Sequence, residues 1–421
     1  MNTPEQQPYI KFFPCGLQFA LKKSNSRVAY CALSIKSGTR NEPDEFSGLA
    51  HFTEHMIFKG TSHRTSNSIN NRLEKLGGEL NAYTTKEETV VYSTTLREDL
   101  PKAVDLLFEL VFDSVFPPKE LQKERSVVID EINMYKDSPS EYIFDDFEEF
   151  LFGHHPLSKS ILGSSKSLGK ITSETLHDYV KANFTPQNIT FSIVADISSD
   201  KAEKLVAKTI HKYIPSAEAV QTPVRHPVTF GKESLAAGCV FTKEASKKNH
   251  QVNCIIGTSA YSLYDEKRIA LILLTNILGG PSSNSILNQV LREKGAMVYT
   301  VEASFNQYSD TGVVTIYFGC DKENLNRCVD LVHREIAKLR SHTVSDSVLK
   351  GAKKQLLGQI AVSSDNGETQ CLTMGKSLLA FGEILPDEVV RKKIEAVTCD
   401  ELFAVANEIF AEKRLSTLIY K

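Results

Sequence analysis

No run of about 18 apolar residues, the length that spans a bilayer as a helix, occurs in the 421-residue chain. No membrane span is therefore expected. Basic charge is not in excess either. Lys and Arg number 49 against 52 Asp and Glu, a net charge of −3. That near-balance excludes a nucleic-acid binder that works by broad phosphate neutralisation. None of the eight cysteines forms a C-x-x-C pair, so scattered buried thiols are expected rather than disulfides or a thiolate metal site. The start, Met1 to Phe13, lacks the basic-then-apolar order of a secretory signal and the Arg/Ser-rich, acid-poor character of a transit peptide. A cytoplasmic location is the expectation. Gly279-Gly280-Pro281-Ser282-Ser283 lacks the G-K-[ST] ending that a phosphate loop requires.

What is present is a packed globular composition, 41% hydrophobic and 24% charged. Its length suggests two or three domains. Ile214 to Thr229 carries Pro215, Pro223 and Pro227 without a sustained apolar period, and reads as a linker. Domains of 1–213 and 230–421, joined by 214–229, follow. The halves echo each other. Leu49–Gly60 lies over Ile269–Gly280 at an offset of 220, and Ala103–Leu107 over Cys328–Val332 at an offset of 225. Loops absorb such a drift cheaply.

Strands are predicted at Val28–Lys36, Thr89–Leu96, His250–Gly257 and Gly312–Gly319, which are rich in β-branched and aromatic residues. Helices are predicted at Ser47–Phe58, Ser66–Leu76, Leu100–Asp113 and Pro118–Met134, with Pro101 suited to a first turn and Ser47 to a cap. The expected fold class is α+β: two homologous sandwich-like domains related by duplication, each a mostly antiparallel sheet with helices packed on it.

The sharpest motif is His51-Phe52-Thr53-Glu54-His55. On a helix His51 and His55 are i and i+4, so both imidazoles leave one face and can grip one Zn²⁺. Glu54 borders that face and is placed to take a proton from a zinc-activated water. The order is that of the inverzincins, H-x-x-E-H. At the aligned positions the second half has Leu271, Leu274 and Thr275, so one copy is ligand-competent and the other apolar. A catalytic zinc needs a third protein ligand and an open fourth position. Candidates sit on the Pro118–Met134 helix, where Glu124 and Glu131 are seven apart and share a side. Position alone leaves Glu124, Asp130 and Glu131 open.

The run Gly48-Leu49-Ala50-His51-Phe52-Thr53-Glu54-His55-Met56-Ile57-Phe58-Lys59-Gly60-Thr61 resembles the signature of the pitrilysin family of zinc metallopeptidases. The length and two-half layout resemble the mitochondrial processing peptidase type and its bacterial relatives. The resemblance implies a third zinc ligand 76 residues after His55, which is Glu131, and a supporting acid at Glu124. It also implies an edge strand in Gly77–Thr84, where Asn81 and Ala82 would pair with an extended peptide. In Leu291–Tyr299 it implies an Arg/Tyr pair, Arg292 and Tyr299, that would bond substrate carbonyls.

These residues predict a zinc endopeptidase with one Zn²⁺ per chain, acting on extended peptides, with Glu54 as general base. The alternative is a non-catalytic, substrate-presenting subunit of a peptidase complex. The family surrounds its peptide with four such domains, so a chain of two implies a homodimer, a heterodimer with an inactive relative being the other arrangement.

Overall fold

The computed structural model describes residues 7–214, 238–247 and 250–421. Beyond Ile214 the predicted linker lies outside the described residues. Strand-forming and helix-forming runs lie close to their predicted places. Thr89–Leu96 is a strand at the expected bounds, and the four helices are Leu49–Ile57, Ser66–Glu74, Leu100–Phe112 and Pro118–Lys136.

The first sheet contains β1 (Tyr9–Phe12), β2 (Gln18–Lys23), β3 (Val28–Ile35), β4 (Glu79–Thr84), β5 (Thr89–Leu96) and β6 (Ile189–Ala195), in the order β1-β2-β6-β3-β5-β4. All neighbours are antiparallel except β2 and β6. The second contains β7 (Thr242–Ala245), β8 (Val252–Ala260), β9 (Val298–Gln307), β10 (Gly312–Cys320) and β11 (Ser416–Tyr420), in the order β7-β11-β8-β10-β9. Again one pair, β7 with β11, is parallel and the rest are antiparallel. Strand for strand, β2-β6-β3-β5-β4 and β7-β11-β8-β10-β9 are the same topology. The duplication suggested by a weak sequence echo is thus written in the sheets, and the α+β class holds.

Period-two alternation sorts each sheet into two faces. In β3 and β6, Ala29, Cys31, Leu33, Ile35, Ile189, Phe191 and Ile193 join the main core of the first unit, under the Leu49–Ile57 and Leu100–Phe112 helices. The other face presents Ala32, Val90 and Val194 to Cys371 and Met374 of a helix at Gly367–Phe381. The second sheet repeats the plan. Cys254, Ile256, Val314, Ile316 and Phe318 face one core. Ile255, Val313, Tyr317, Leu418 and Tyr420 face Ile143, Phe147 and Leu151 of a helix at Pro139–Phe152.

The covering helices come from the opposite halves of the sequence. The first compact unit runs to Ile132, resumes at Lys159 and takes in Val362–Pro386; the second takes Asn133–Ser158 and Asp387–Lys421 with the stretch that ends at Ala361. A cut between residues 213 and 230 therefore does not coincide with the compact units. A linear reading places a helix with its sequence neighbours, whereas this helix goes where its buried face fits.

Fit at the first sheet depends on small residues. Gly375 of the covering helix approaches so closely that a Cβ there would lie 2.7 Å from Ser34 Oγ and 3.2 Å from Ser192 Oγ. Gly375→Leu should overpack this face and cost about 1–3 kcal/mol. Urea unfolding followed by circular dichroism would show an earlier transition, and a wild-type midpoint would mean that the helix is not held this closely.

Candidate metal centre

The helix carrying the H-x-x-E-H motif begins abruptly. Its N-cap is Gly48 at φ +89°, a left-handed conformation that favours glycine, and a Cβ there would lie 2.7 Å from the Leu162 carbonyl oxygen. No N-cap side chain supplies a hydrogen bond, so Ser47 does not cap the helix as the sequence suggested. The buried carboxylate of Glu42 substitutes. It accepts from the Gly48 N–H at 2.9 Å and the Ala50 N–H at 2.7 Å, satisfying two of the donors that a helix start leaves unpaired. Burial pushes the Glu42 pKa up to about 8, against the opposing pull of these backbone bonds and Lys159.

Leu49, Phe52, Met56 and Ile57 drive one stripe of this helix into the core. His51 and His55 leave another side one turn apart, their rings 4.6 Å between centroids. On the Pro118–Lys136 helix, Leu121, Val128 and Ile132 are buried, and Glu124 and Glu131 turn toward the histidines. Glu131 Oε2 stands 3.7 Å from His51 Nε2 and 3.5 Å from His55 Nε2. Asp130 is exposed and takes no part. Among the described residues His51, His55 and Glu131 form the one metal-competent trio, their ligand atoms all within 4.8 Å of one another.

Behind the trio, Glu124 bridges His55 Nδ1 at 2.8 Å and Lys59 Nζ at 2.6 Å. A neutral His55 donating its Nδ1–H to this carboxylate keeps the Nε2 lone pair for a metal. Glu54 Oε2 accepts from Thr84 Oγ1 at 2.8 Å. Thr84 ends β4, which lies at the edge of the sheet and pairs only with β5 among the described strands. Asn81 on that strand is exposed and Ala82 is half-buried.

The electrostatics suit a cation. Burial, then the charge of His55, holds the His51 pKa down at about 3, so its imidazole is neutral at physiological pH. Burial also works against a charged His55, but its bond to Glu124 and the charges of Glu54, Glu124 and Glu131 outweigh it and raise the pKa. Burial raises Glu54, opposed by the Thr84 bond. Glu124 resists burial: its bonds to His55 and Lys59 hold it below the usual carboxylate range.

Two neutral imidazoles and a carboxylate form a hydrolytic zinc set. Ligand atoms around a tetrahedral Zn²⁺ with bonds of 2.0–2.1 Å would be roughly 3.3 Å apart, close to the 3.7 and 3.5 Å that separate Glu131 Oε2 from the two histidine nitrogens. The residues present therefore fit the metal.

Arg292 and Tyr299 belong to the second unit. Arg292 is exposed on the helical turn Asn288–Glu293, and Tyr299 donates its hydroxyl to Asp321 Oδ1 at 2.9 Å. Where the first unit has His51, Glu54 and His55, Leu271, Leu274 and Thr275 are core residues. Sequence reasoning assigned no role to Glu42, Lys59 or Thr84. Lys59 and Thr84 lay inside the quoted motifs, and a glycine N-cap with an acid six residues upstream was the available signal for Glu42.

A helix-borne H-x-x-E-H facing a carboxylate, on a duplicated α+β fold, is the layout of an inverzincin metallopeptidase centre. Residues 18–165 match the family described as Insulinase (Peptidase family M16), and residues 170–356 match the Peptidase M16 inactive domain. The chain belongs to peptidase family M16, the insulinase or pitrilysin family. It is 30% identical over 414 residues to the uncharacterized zinc protease YmxG of Bacillus subtilis (strain 168), spanning 97% of this chain and 98% of that one. It is 28% identical over 417 residues to the mitochondrial-processing peptidase subunit beta of Saccharomyces cerevisiae, spanning 96% and 88%. A crystal structure of a protease from Helicobacter pylori superposes with a TM-score of 0.86 at 20% identity, over 99% of both chains, and supports the fold.

Glu42 generates a pH-dependent prediction. Its folded pKa of about 8 exceeds the ordinary carboxyl value, so the folded state binds the proton more tightly than the unfolded state. Its contribution to stability is complete below about pH 4.3 and is lost as pH rises through about 8. Thermal unfolding of metal-free wild type and Glu42→Gln across that window should show wild type losing more stability with rising pH. A constant gap between the two would mean that Glu42 is ionised throughout.

Proposed function

We propose that the chain is a zinc endopeptidase that hydrolyses extended or unfolded peptides, with one Zn²⁺ held by His51, His55 and Glu131 and with Glu54 as general base. The observation that carries this reading is the convergence of the three ligand atoms beside a half-buried Glu54 that is not one of them. Bound zinc supplies a Lewis acid for the scissile carbonyl and lowers the pKa of attacking water. Glu54 takes the proton from that water and passes it to the leaving amine, and its burial-raised pKa suits a group that must hold a proton between the two transfers. Glu124 fixes the His55 ring, and Lys59 keeps Glu124 ionised. The open edge of β4 suits main-chain pairing with an extended peptide at Asn81 and Ala82, which selects unfolded substrates rather than a sequence. A non-catalytic presenting subunit would have been free to lose any of the four site residues, and this chain retains all of them.

Peptide cleavage and zinc content, measured together, test the reading. His51→Ala, His55→Ala and Glu131→Gln should each lose zinc. Glu54→Gln should keep zinc and lose activity by about 10²-fold or more. Zinc retained by Glu131→Gln would move the third ligand elsewhere, and a fully active Glu54→Gln would remove the base.

The working form is proposed to be a homodimer, with Arg292 and Tyr299 of one chain bonding a substrate held at the partner's metal. Support comes from the separation of features between the two repeats, ligands in one and the Arg/Tyr pair in the other. A relative named as a subunit supports assembly in this family. A two-fold pair is the simplest closed assembly. All eight cysteines are free thiols, which is consistent with a cytoplasmic location, and no described helix is long and apolar enough to cross a membrane. Arg292→Ala should lower cleavage with zinc intact, and mixing Arg292→Ala with Glu54→Gln chains should partly restore it. A monomer that is fully active at assay concentration would overturn the shared site.

A further inference from the structure

Among the described residues Glu54 accepts one side-chain hydrogen bond, from Thr84 Oγ1 to Oε2 at 2.8 Å. The donor is held more firmly than the acceptor. Thr84 is β-branched, so its χ1 is restricted. Its backbone is paired opposite Thr89 on β5. Thr89 is wholly buried and donates its own hydroxyl to the Ser37 carbonyl at 2.8 Å. Directly after Thr84, the Thr85 N–H bonds the Glu88 carbonyl at 2.8 Å and closes the turn. Glu54, by contrast, is a long side chain with three rotatable bonds, which must lose rotamer freedom to act in one orientation.

We infer that Thr84 is a positioning residue. It occupies Glu54 Oε2, so Oε1 is the oxygen left to receive the proton, and it ties that orientation to β4. The inference rests on the proposed role of Glu54 and deepens it. In the hydrolysis, Oε1 accepts a proton from water as the water oxygen bonds the carbonyl carbon. The same proton then leaves Oε1 for the amine nitrogen as the C–N bond breaks, and Glu54 returns to its carboxylate. Oε2 keeps the Thr84 bond throughout. Thr84 lies two residues beyond Ala82 on the strand whose open edge is proposed to receive the peptide. A peptide paired along that edge stiffens the strand, and with it the support of the base. Substrate binding and base orientation are thereby linked through one hydroxyl.

Thr84→Val removes the hydroxyl, keeps nearly the same volume and suits a strand. Misorienting the base predicts a fall in kcat of roughly 10- to 100-fold, the scale that a small misplacement of a reacting group costs. KM should stay within about twofold of wild type if only the orientation of the base is lost. Zinc content and the affinity of metal-free protein for a fluorescent peptide should not change. Thr84→Ser keeps the hydroxyl and should recover most of kcat, while Thr84→Ala, a second hydroxyl-free variant, should repeat the split seen with valine. In the Glu54→Gln background, Thr84→Val should cause little further loss, because it acts through Glu54. Wild-type kcat in both hydroxyl-free variants, or a loss confined to KM, or an additive loss in the double variant, would overturn the inference. These outcomes separate from failure of the broader reading. A fully active Glu54→Gln removes the base itself, whereas an impaired Glu54→Gln beside unimpaired Thr84→Val and Thr84→Ala removes only the role of Thr84.

Discussion

The candidate metal centre depends on one partly buried ionic chain, Lys59 to Glu124 to His55, which joins the end of the motif helix to the helix that carries Glu131. Glu124 is only 6% exposed. A carboxylate in such a place is costly unless it is paired and hydrogen-bonded, and removing one partner leaves a buried charge uncompensated. Both of its oxygens are used, one on His55 and one on Lys59. Glu131 lies two turns further along the same helix, so fixing Glu124 also fixes the height and rotation at which Glu131 meets the two Nε2 atoms. Glu131 itself is 42% exposed along its side chain. The buried acid is the one tied on both sides, and the accessible one is the acid proposed as ligand.

The second unit answers the same packing problem without charge. Its equivalent helix, Arg268–Gly279, buries Leu271, Leu274 and Thr275. The helix in the corresponding place in chain order, Asp346–Ser364, meets it through Asn276 and Gln359, whose amides bond at 3.0 Å. Neutral amides and leucines hold two helices together at far lower desolvation cost than carboxylates. The ionic apparatus of the first unit is therefore not demanded by the fold. A duplicated framework that can close this corner with Leu and Asn retains charges in one copy, and that contrast is a reason to read them as chemistry rather than packing.

Much of this was legible in the sequence, for physical reasons that differ by element. β5 and the Leu100–Phe112 helix were read to within a residue because period-two and period-3.6 burial are strong local signals. The histidine pair was legible because i, i+4 spacing on a helix is itself a geometry. Its N-terminus was not, because the cap is supplied by Glu42 across a loop instead of by the adjacent Ser47. The choice among Glu124, Asp130 and Glu131 could not be made from spacing, since all three ride one helix and only packing decides which sides face the histidines. The exchange of Pro139–Phe152 and Gly367–Phe381 between compact units was also out of reach. Each helix is fitted by close approach to residues far away in sequence, Gly375 to Ser34 and Ser192 on one sheet and Phe147 to Gly257 on the other.

Charge accounting ties the site together. Of the three acids Glu54, Glu124 and Glu131, Glu124 is paired with the ammonium of Lys59, and His51 is held neutral by burial. Three carboxylates against one cation leave two negative charges in a partly buried space. Their pull shows in His55, whose pKa rises even though burial works to lower it. A proton on His55 offsets one of the two charges, but it occupies a ring nitrogen that a metal would need. A divalent cation at the trio offsets both and leaves the imidazoles in the neutral form that binds metal. It also offsets the charge of Glu131, which raises the Glu54 pKa to a lesser extent than burial does. The same arrangement that leaves the metal-free site with excess negative charge is what would suit Glu54 to the proposed role of base once a cation offsets that charge.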